Sequence, residues 1–233
     1  MLAKVLTFLR FVKWGGVYSA AKTVAFNLKM FPFKVAVKLP VLISSKVNYK
    51  LTRKGSIEFE ENALRFGALR FGFCDWQYSY QRPSFLKIQG HLIIKGTGFH
   101  TFANGLTLEI GEDATCIIGN DFSASHNNRI RILKSLTVGD NNMWSFDNVV
   151  MDNDAHHIFN SQGEFCNPNK GIIFGNNVWM GCRNIVLKGA EIPDGTILAT
   201  SSIVNKKYIE SNTIITSYGN VLKKNVTWSR ELT

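Results

Sequence analysis

One stretch of this chain, from Gly171 to Asn205, repeats its apolar residues every six positions. Six apolar residues fall in unbroken phase: Phe174, Met180, Val186, Ile192, Leu198 and Val204. Two positions before each of them, the residues become small or polar along the run: Ile172, Val178, Asn184, Ala190, Thr196 and Ser202. An α-helix repeats near 3.6 residues and a plain strand at 2, so neither explains a period of six.

A triangular solenoid does explain this period. Each side of a coil is then a short strand and a turn, one side chain per side points to the axis, and Gly, Asn or Asp takes the turns where a positive φ costs little. The pattern predicts an all-β fold, a left-handed parallel β-helix of hexapeptide repeats. The same phase occurs earlier, through Ile132 to Val150, but between Ile57 and Leu108 it is ragged.

The distribution of charge divides the chain further. Residues 1–57 hold eleven Lys or Arg and no acidic residue, whereas the rest of this 233-residue chain is nearly neutral, so the arm carries the net charge of +10. We predict a basic amphipathic arm and linker at 1–56, a β-helix domain at 57–205 and a C-terminal tail at 206–233.

The first 30 residues are predicted to be helical and to place apolar and aromatic side chains beside Lys and Arg. An interfacial helix needs this combination, because one face enters lipid while the other holds anionic headgroups. We therefore expect residues 1–30 to contact an anionic membrane surface. The alternative is a helix packed on the solenoid, with its charges in solvent. Nucleic acid is not expected as a partner, since no reading motif accompanies the charge.

The cellular location is predicted from the cysteines and the N-terminus. Cys74, Cys116, Cys166 and Cys182 are scattered without a CxxC pair, which favours reduced thiols in a cytosolic protein. Basic residues interrupt what would be the apolar core of a signal peptide, and no apolar run reaches the length of a membrane span. We expect a cytoplasmic protein, peripheral at the inner face of the cell membrane.

A candidate site lies where the repeat breaks. The phase carried on from Val150 reaches His156, but the following segment would put Gln162 and Pro168 at axis positions, so a loop extruded at about 157–171 is predicted. A neutral imidazole whose one nitrogen is held by an acceptor can take a proton through the other. Asp152 and Asp154 could orient that imidazole, ligate a metal or cap a turn.

The sequence around this break resembles a known family. The strings DNDAHHIF, NPNKG, IIFGNNVWMG and IVLKGAEIPDGTILATSSIV are similar to those of hexapeptide-repeat acyltransferases, especially enzymes that O-acetylate sugars of surface polysaccharides. The resemblance covers about residues 138–204. It implies a left-handed β-helix homotrimer with active sites between subunits and acetyl-CoA as donor. From the histidine pattern, no metal is expected.

The same resemblance suggests roles for individual residues. His156 matches the general base that takes the proton from a sugar hydroxyl during direct attack on the thioester. From the residues themselves, Asp154 is the closer candidate to orient that histidine and Asp152 the other; Asp152 and His157 are also candidate substrate contacts. The segment that lines the coenzyme groove in that family matches Trp179, Gly181 and Cys182. One coil later, the small Thr200 and Ser201 would extend the groove, and the following Lys206 and Lys207 could meet the coenzyme phosphates. The tail lacks the usual Gly-x-Pro-Ala that closes over the coenzyme, which makes Lys223 and Lys224 further candidates.

These observations predict an acetyl-CoA-dependent O-acetyltransferase acting on a sugar hydroxyl of a lipid-linked surface polysaccharide unit. Three alternatives stay open: an N-acetyltransferase on a nucleotide-linked amino sugar, a non-catalytic trimeric scaffold of polysaccharide assembly, and a zinc hydratase. The hydratase needs three converging histidines, and the five histidines of this chain offer few suitable pairs.

Overall fold

The computed structural model describes residues 2–51, 56–73 and 82–231. Three helices come first, α1 (Leu2–Gly15), α2 (Val17–Met30) and α3 (Phe33–Ala36), and a 3-10 turn spans Glu61–Ala63. The strands before the loop are β1 (Val41–Ile43), β2 (Val47–Leu51), β3 (Ile57–Phe59), β4 (Leu69–Phe71), β5 (Ser84–Ile88), β6 (His91–Ile94), β7 (His100–Phe102), β8 (Thr107–Ile110), β9 (Thr115–Ile118), β10 (Phe122–Ala124), β11 (Arg129–Ile132), β12 (Ser135–Val138), β13 (Met143–Trp144) and β14 (Val149–Met151). Those after it are β15 (Ile172–Phe174), β16 (Trp179–Met180), β17 (Ile185–Leu187), β18 (Glu191–Ile192), β19 (Ile197–Leu198), β20 (Ile203–Val204), β21 (Thr213–Thr216) and β22 (Asn220–Lys224).

In the described residues these strands form three parallel sheets, and consecutive strands up to β20 pass from one sheet to the next. Sheet 1 has the order β1-β4-β7-β10-β13-β16-β19-β21, to which β22 adds an antiparallel edge. Sheet 2 has the order β2-β5-β8-β11-β14-β17-β20, and sheet 3 the order β3-β6-β9-β12-β15-β18. Three strands therefore make one coil. The predicted left-handed parallel β-helix, with helices at its N-terminus and one extruded loop, is confirmed.

Each side of a coil places two side chains inside the solenoid, whereas the sequence predicted one. The six apolar residues of the hexad phase are all at most 2% exposed, and the six residues two positions earlier are all fully buried. In the second set, the buried Asn184 and Ser202 side chains bond backbone groups at the turns. Asn184, for example, accepts the Ser202 N–H through Oδ1 at 2.9 Å and donates to the Gly181 carbonyl at 2.8 Å. Asparagine thus locks one coil to the next.

The ragged phase of the early coils has a geometric cause. Thr107 pairs with Phe85, 22 positions earlier, and Thr115 pairs with His91, 24 positions earlier. Only after the loop does the repeat settle at 18 positions, as in the pairing of Ile203 with Ile185. The longer turns of the early coils leave the axis positions intact but shift them in the sequence.

The helix α2 closes the open end of the solenoid. Its buried polar side chains, Ser19, Thr23 and Asn27, face the free edge of β1. The Asn27 amide donates to the Val41 carbonyl at 2.7 Å and accepts the Val41 N–H at 3.2 Å. An exposed strand edge would otherwise invite pairing with another chain. For α2, the structure therefore shows the packed-helix alternative.

The helix α1 is only partly covered. Phe11 is buried against Phe66 and Phe73, whereas Val5, Leu6 and Leu9 are each about half exposed. No helix within the described residues is long and apolar enough to cross a membrane.

The cysteines in the described residues, Cys116, Cys166 and Cys182, are free thiols. Burial, together with the nearby Asp152, raises the pKa of Cys116 to about 12, so this thiol is unreactive at neutral pH. Cys74 lies outside the described residues.

Candidate active site

The extruded loop, residues 152–171, leaves the solenoid between β14 of sheet 2 and β15 of sheet 3. We call this edge of the triangular prism the 2–3 corner. The chain departs directly after Met151, so His156 lies within the loop and is exposed, off the axis position that the phase would give it. Ala155 adopts a φ of 64°, which turns the chain outward just before the histidine. The loop then folds back on itself, and Phe159 pairs with Phe165.

Asp152 anchors the root of this loop inside the protein. Its side chain is fully buried. The carboxylate accepts the backbone N–H groups of Leu133 at 2.8 Å, Lys134 at 2.7 Å and Ser135 at 2.8 Å. A carboxylate bonded in this way caps the turn of the preceding coil and has no free face for a ligand. The placement favours the turn-capping alternative over the predicted substrate contact.

His156 is held through its backbone. Its N–H donates to the Asp154 carbonyl at 2.7 Å, and its carbonyl accepts from the Asn167 amide at 2.9 Å. The residue lines a cavity of 290 Å³ that the loop forms with the solenoid, together with Leu133 and Phe165. An exposed imidazole on a fixed backbone, beside a cavity of this kind, is suitably placed to accept a proton from a bound hydroxyl.

Asp154 belongs to a polar brace across the two ends of the loop. Its Oδ2 accepts from the Asn167 amide at 2.9 Å and pairs with the Lys188 ammonium. These two hydrogen bonds, Lys188 first, hold the pKa of Asp154 below its usual value, so it remains a carboxylate at neutral pH. Among the described residues it makes no hydrogen bond with the His156 ring. Asp154 therefore does not orient the imidazole ring directly. Its backbone carbonyl accepts the His156 N–H, and its side chain accepts from Asn167, whose amide also donates to the His156 carbonyl.

Asn167 and Lys188 were not identified from the sequence. Asn167 lies at the far end of the loop, and its Oδ1 also accepts the Ile158 N–H at 2.6 Å. Lys188 follows Leu187, which pairs with Met151 across 36 positions. That register puts Lys188 one coil beyond the loop at the 2–3 corner, and knowledge of the coil length across the loop could have indicated it.

His157 points to an aromatic cluster. Its ring contacts Phe165 edge-on at 4.9 Å and Phe159 at 6.2 Å between centroids. Phe159 and Phe165 are each about half exposed, as is Ile158. The tip of the loop thus presents an apolar surface, and its contact with substrate stays a prediction.

The residues predicted to wall the coenzyme groove, apart from Trp179, lie at another edge, the 1–2 corner, between sheets 1 and 2. Trp179 projects outward from β16 and is 37% exposed. A Cβ on Gly181 would come within 2.9 Å of the Leu198 carbonyl oxygen, so glycine is required for close stacking of the coils. The Cys182 Sγ lies 3.5 Å from the Thr200 Oγ1 on the next coil. Thr200 and Ser201 are exposed beside it.

The lysines of the predicted coenzyme set are separate from that wall. Lys206 and Lys207 follow β20 and lie at the 2–3 corner, on the same edge as His156. Lys207 pairs with Glu191 at 2.5 Å, and the Lys206 ammonium lies 5.4 Å from the centre of the Tyr208 ring. Within one chain, the predicted site residues thus fall on two different corners, with the outer face of sheet 2 between them.

The C-terminal tail brings in two residues that the sequence did not point to. Trp228 donates from Nε1 to the Asn177 carbonyl at 2.6 Å, and its ring lies 6.1 Å from that of Trp179. Arg230 donates to the side chains of Asn141 and Ser123 and to two nearby carbonyls, at 2.6 to 2.9 Å. The tail is thereby fastened along the edge between sheets 3 and 1. Lys224 is paired with Glu210 at 2.7 Å.

The described residues hold no group of three or more His, Cys, Asp or Glu side chains that could bind a metal ion.

No family model matches this sequence, and no curated protein matches it significantly. Solved structures do. NeuO, a polySia-specific acetyltransferase, is 18% identical over 81% of this chain and 89% of its own, with a TM-score of 0.50. The polysialic acid O-acetyltransferase OatWY is 20% identical over 83% of this chain and 78% of its own, with a TM-score of 0.46. AntD, an N-acyltransferase from Bacillus cereus solved with dTDP and 3-hydroxybutyryl-CoA, is 13% identical over 84% of this chain and 89% of its own, with a TM-score of 0.40. The likeness to NeuO shows that this chain has the fold of that acetyltransferase.

Proposed function

We propose that this protein is an acetyl-CoA-dependent O-acetyltransferase, with a sugar hydroxyl of a surface polysaccharide unit as acceptor and His156 as general base. A fold alone does not specify a function, so the proposal rests on the site. The observation that carries it is an exposed histidine beside a 290 Å³ cavity, at the braced root of the loop that interrupts the solenoid. The fold shared with NeuO, itself a polySia-specific acetyltransferase, supports it.

The proposed reaction needs one proton transfer and no covalent enzyme intermediate. Acetyl-CoA would supply a thioester, whose carbonyl carbon the sugar oxygen attacks. His156 accepts the hydroxyl proton as the new C–O bond forms, and it returns that proton to the sulfur when the C–S bond breaks. Asp154 acts as a positioning residue, because with Asn167 and Lys188 it fixes the backbone on either side of the histidine.

The small and polar residues at the 1–2 corner suit a groove for the coenzyme. Small or polar side chains at Cys182, Thr200 and Ser201 line the surface next to Gly181. Exposed Lys206 is available as a point charge for a phosphate, whereas Lys207 would have to leave Glu191.

A homotrimer would bring the two corners together. The outer face of sheet 2 carries an apolar stripe that comprises Val149, Met151, Ile185, Leu187 and Ile203. If three copies turn this face to a common threefold axis, the 2–3 corner of each copy meets the 1–2 corner of the next. His156 of one subunit would then face the coenzyme wall of its neighbour.

Mixed trimers test this arrangement. A His156→Ala chain and a Thr200→Trp chain, whose bulky ring blocks the groove, should each be inactive alone. Co-expressed in equal amounts, they should recover about a quarter of the wild-type sites, because intact halves then meet by chance. If no activity returns although mixed trimers form, each site lies within a single chain.

The arm would hold the enzyme at the cytoplasmic face of the membrane. Its basic charge and the exposed apolar residues of α1 suit an anionic surface. Attachment there would raise the effective concentration of a lipid-linked acceptor. Leu9→Glu should reduce sedimentation with anionic vesicles and leave the oligomer unchanged. Equal sedimentation of both proteins would contradict this role.

The general-base assignment is tested by acetyl transfer from acetyl-CoA to a glycan acceptor, followed as free thiol release and as acetylated product by mass spectrometry. His156→Ala should lower kcat about 10²- to 10⁴-fold. The matched control is His91→Ala, which removes another exposed histidine, one paired with Glu58 at 2.6 Å on the far coils. An unchanged rate in His156→Ala would show that this residue is not the base.

The alkali stability of the acetylated product distinguishes O-acetylation from the alternative functions. Mild alkali removes an O-acetyl ester but leaves an N-acetyl amide, so an alkali-stable product would favour N-acetylation of an amino sugar. A wild-type protein that transfers no acetyl group would favour the scaffold. Comparison of the O-acetyl content of surface glycan with and without this protein links the reaction to its acceptor.

A further inference from the structure

A groove of 650 Å³ opens at the N-terminal end of the molecule, far along the solenoid from the extruded loop. Its walls are α1, the chain after α3, and the segment that follows the 3-10 turn. Most of the lining is apolar and comprises Val5, Phe8, Val37, Leu39, Leu64 and Phe66. Its volume falls within the roughly 300–1,000 Å³ typical of ligand pockets.

Two cations, Arg65 and Lys38, and the polar Thr7 complete the lining of the groove. The Arg65 Nη2 is buried and has no hydrogen-bond partner among the described residues. Its guanidinium is held flat by Phe99, whose ring centre lies 4.1 Å from the Arg65 Cζ. Among the described residues no carboxylate forms a salt bridge with this guanidinium, so an anion in the groove would stabilise its charge.

The surface around the groove suits a membrane. Val5 and Val37 stand on its opposite walls and are each about half exposed. Phe33 of α3 is 74% exposed, and Lys34 and Lys38 lie exposed on the same stretch of chain. Since no acidic residue precedes Glu58, the elements on two of the three walls bring only positive charge.

We propose that this groove binds the hydrocarbon chain of a phosphate-bearing membrane lipid, and that Arg65 and Lys38 hold the lipid phosphate. The inference rests on the membrane attachment proposed above and gives it a specific lipid site. The apolar walls remove part of the hydrocarbon from water, and the guanidinium donates to phosphate oxygens. Attachment therefore involves residues 37–39 and 64–66 as well as α1.

Short-chain lipids that dissolve as monomers test the site on the full-length protein. We expect dihexanoyl-phosphatidylglycerol to bind at one molecule per chain, by native mass spectrometry and calorimetry. Dihexanoyl-phosphatidylcholine should bind at least tenfold more weakly, because its headgroup has no net charge, and glycerol phosphate should not bind measurably. If glycerol phosphate binds as well as the lipid, the groove is an anion site and the proposal is wrong.

Substitutions then locate the bound lipid. Lys38→Ala and Arg65→Gln should each weaken phosphatidylglycerol about tenfold, whereas Lys13→Ala on exposed α1 should not. Val37→Trp fills the groove and should abolish binding, although it adds apolar surface. Its control, Val17→Trp, adds the same ring to an exposed position on α2 outside the groove. Unchanged binding by Val37→Trp would overturn the proposal.

The failure of this inference can be told apart from failure of the proposed function. Val37→Trp should transfer acetyl groups to a soluble glycan at the wild-type rate, because the groove is remote from His156. If His156→Ala retains activity while lipid binding is normal, only the general-base assignment fails.

Discussion

From the hydrogen bonds between α2 and β1 we predict how much the free energy of unfolding depends on this contact. Asn27 is fully buried and exchanges two hydrogen bonds with the backbone of Val41, donating at 2.7 Å and accepting at 3.2 Å. Leucine is close to asparagine in shape but offers neither group. In Asn27→Leu the Val41 N–H and carbonyl would both be buried at the free edge of the sheet, without a partner and without water.

The size of the effect follows from these two groups. Each stranded backbone group costs about 1–3 kcal/mol, so the upper range is about 6 kcal/mol. The leucine gains some apolar burial and the helix end can relax, so we expect the free energy of unfolding to fall by about 3–4 kcal/mol. Thr23→Val should cost about 2 kcal/mol, because the Thr23 hydroxyl accepts the Ile43 N–H at 3.0 Å but donates to the Ile43 carbonyl only at 3.3 Å.

Urea denaturation followed by circular dichroism measures the loss, and hydrogen exchange at the Val41 amide shows whether it is local. Leu28→Asn is the matched control: it makes the reverse exchange at a half-exposed site on the same helix and should change stability by less than about 0.5 kcal/mol. A loss below about 1 kcal/mol for Asn27→Leu, or unchanged protection of the Val41 amide, would refute the argument that α2 satisfies this edge.

Three further predictions concern the site and its scaffold. Because Lys188 lowers the pKa of Asp154, their interaction stabilises the fold at neutral pH and is lost as pH falls through the folded-state pKa; Lys188→Met should lower the melting temperature at neutral pH but not in strong acid, and a constant difference across a pH series of melts would contradict this. Asp152→Asn should cost about 2–4 kcal/mol in urea denaturation, because an amide cannot accept three backbone N–H groups as a carboxylate does; a near-neutral result would exclude the capping role. Gly181→Ala should cost about 1–3 kcal/mol in the same assay, because its Cβ would meet the Leu198 carbonyl at 2.9 Å; no loss would mean that the coils can separate there.

The sequence was sufficient to predict the core of the solenoid but not the packing at its ends. The hexad phase from Phe174 to Val204 identified residues that are all buried at the axis. It could not show that the residues two positions earlier are also inside, because small and polar side chains at those places are equally typical of exposed turns. It also could not separate lipid contact from packing in the arm. The buried Ser19, Thr23 and Asn27 look polar in sequence, and only the position of the β1 edge explains them.

The candidate site, too, was only partly predictable from the sequence. A break in the phase after Val150 marked the extruded loop and His156, since Gln162 and Pro168 are incompatible with the axis. The roles of the nearby carboxylates were undetermined, because a short polar string is compatible with capping, metal binding and catalysis alike. The structure buries Asp152 under three amides and pairs Asp154 with Lys188, 34 positions away.

By itself, then, the sequence determined the repeat, the axis residues and the place where the repeat is interrupted, because these depend on local periodicity along one chain. The tertiary structure alone decided which corner each residue occupies, and so placed His156 and Lys206 on one edge and Cys182 and Thr200 on another. It also decided which polar groups are satisfied by distant backbone. The physical reason is that contacts across a coil depend on the exact number of residues in each turn, and coils of 22, 20 and 18 residues follow one another along this chain without a local signal that fixes their length.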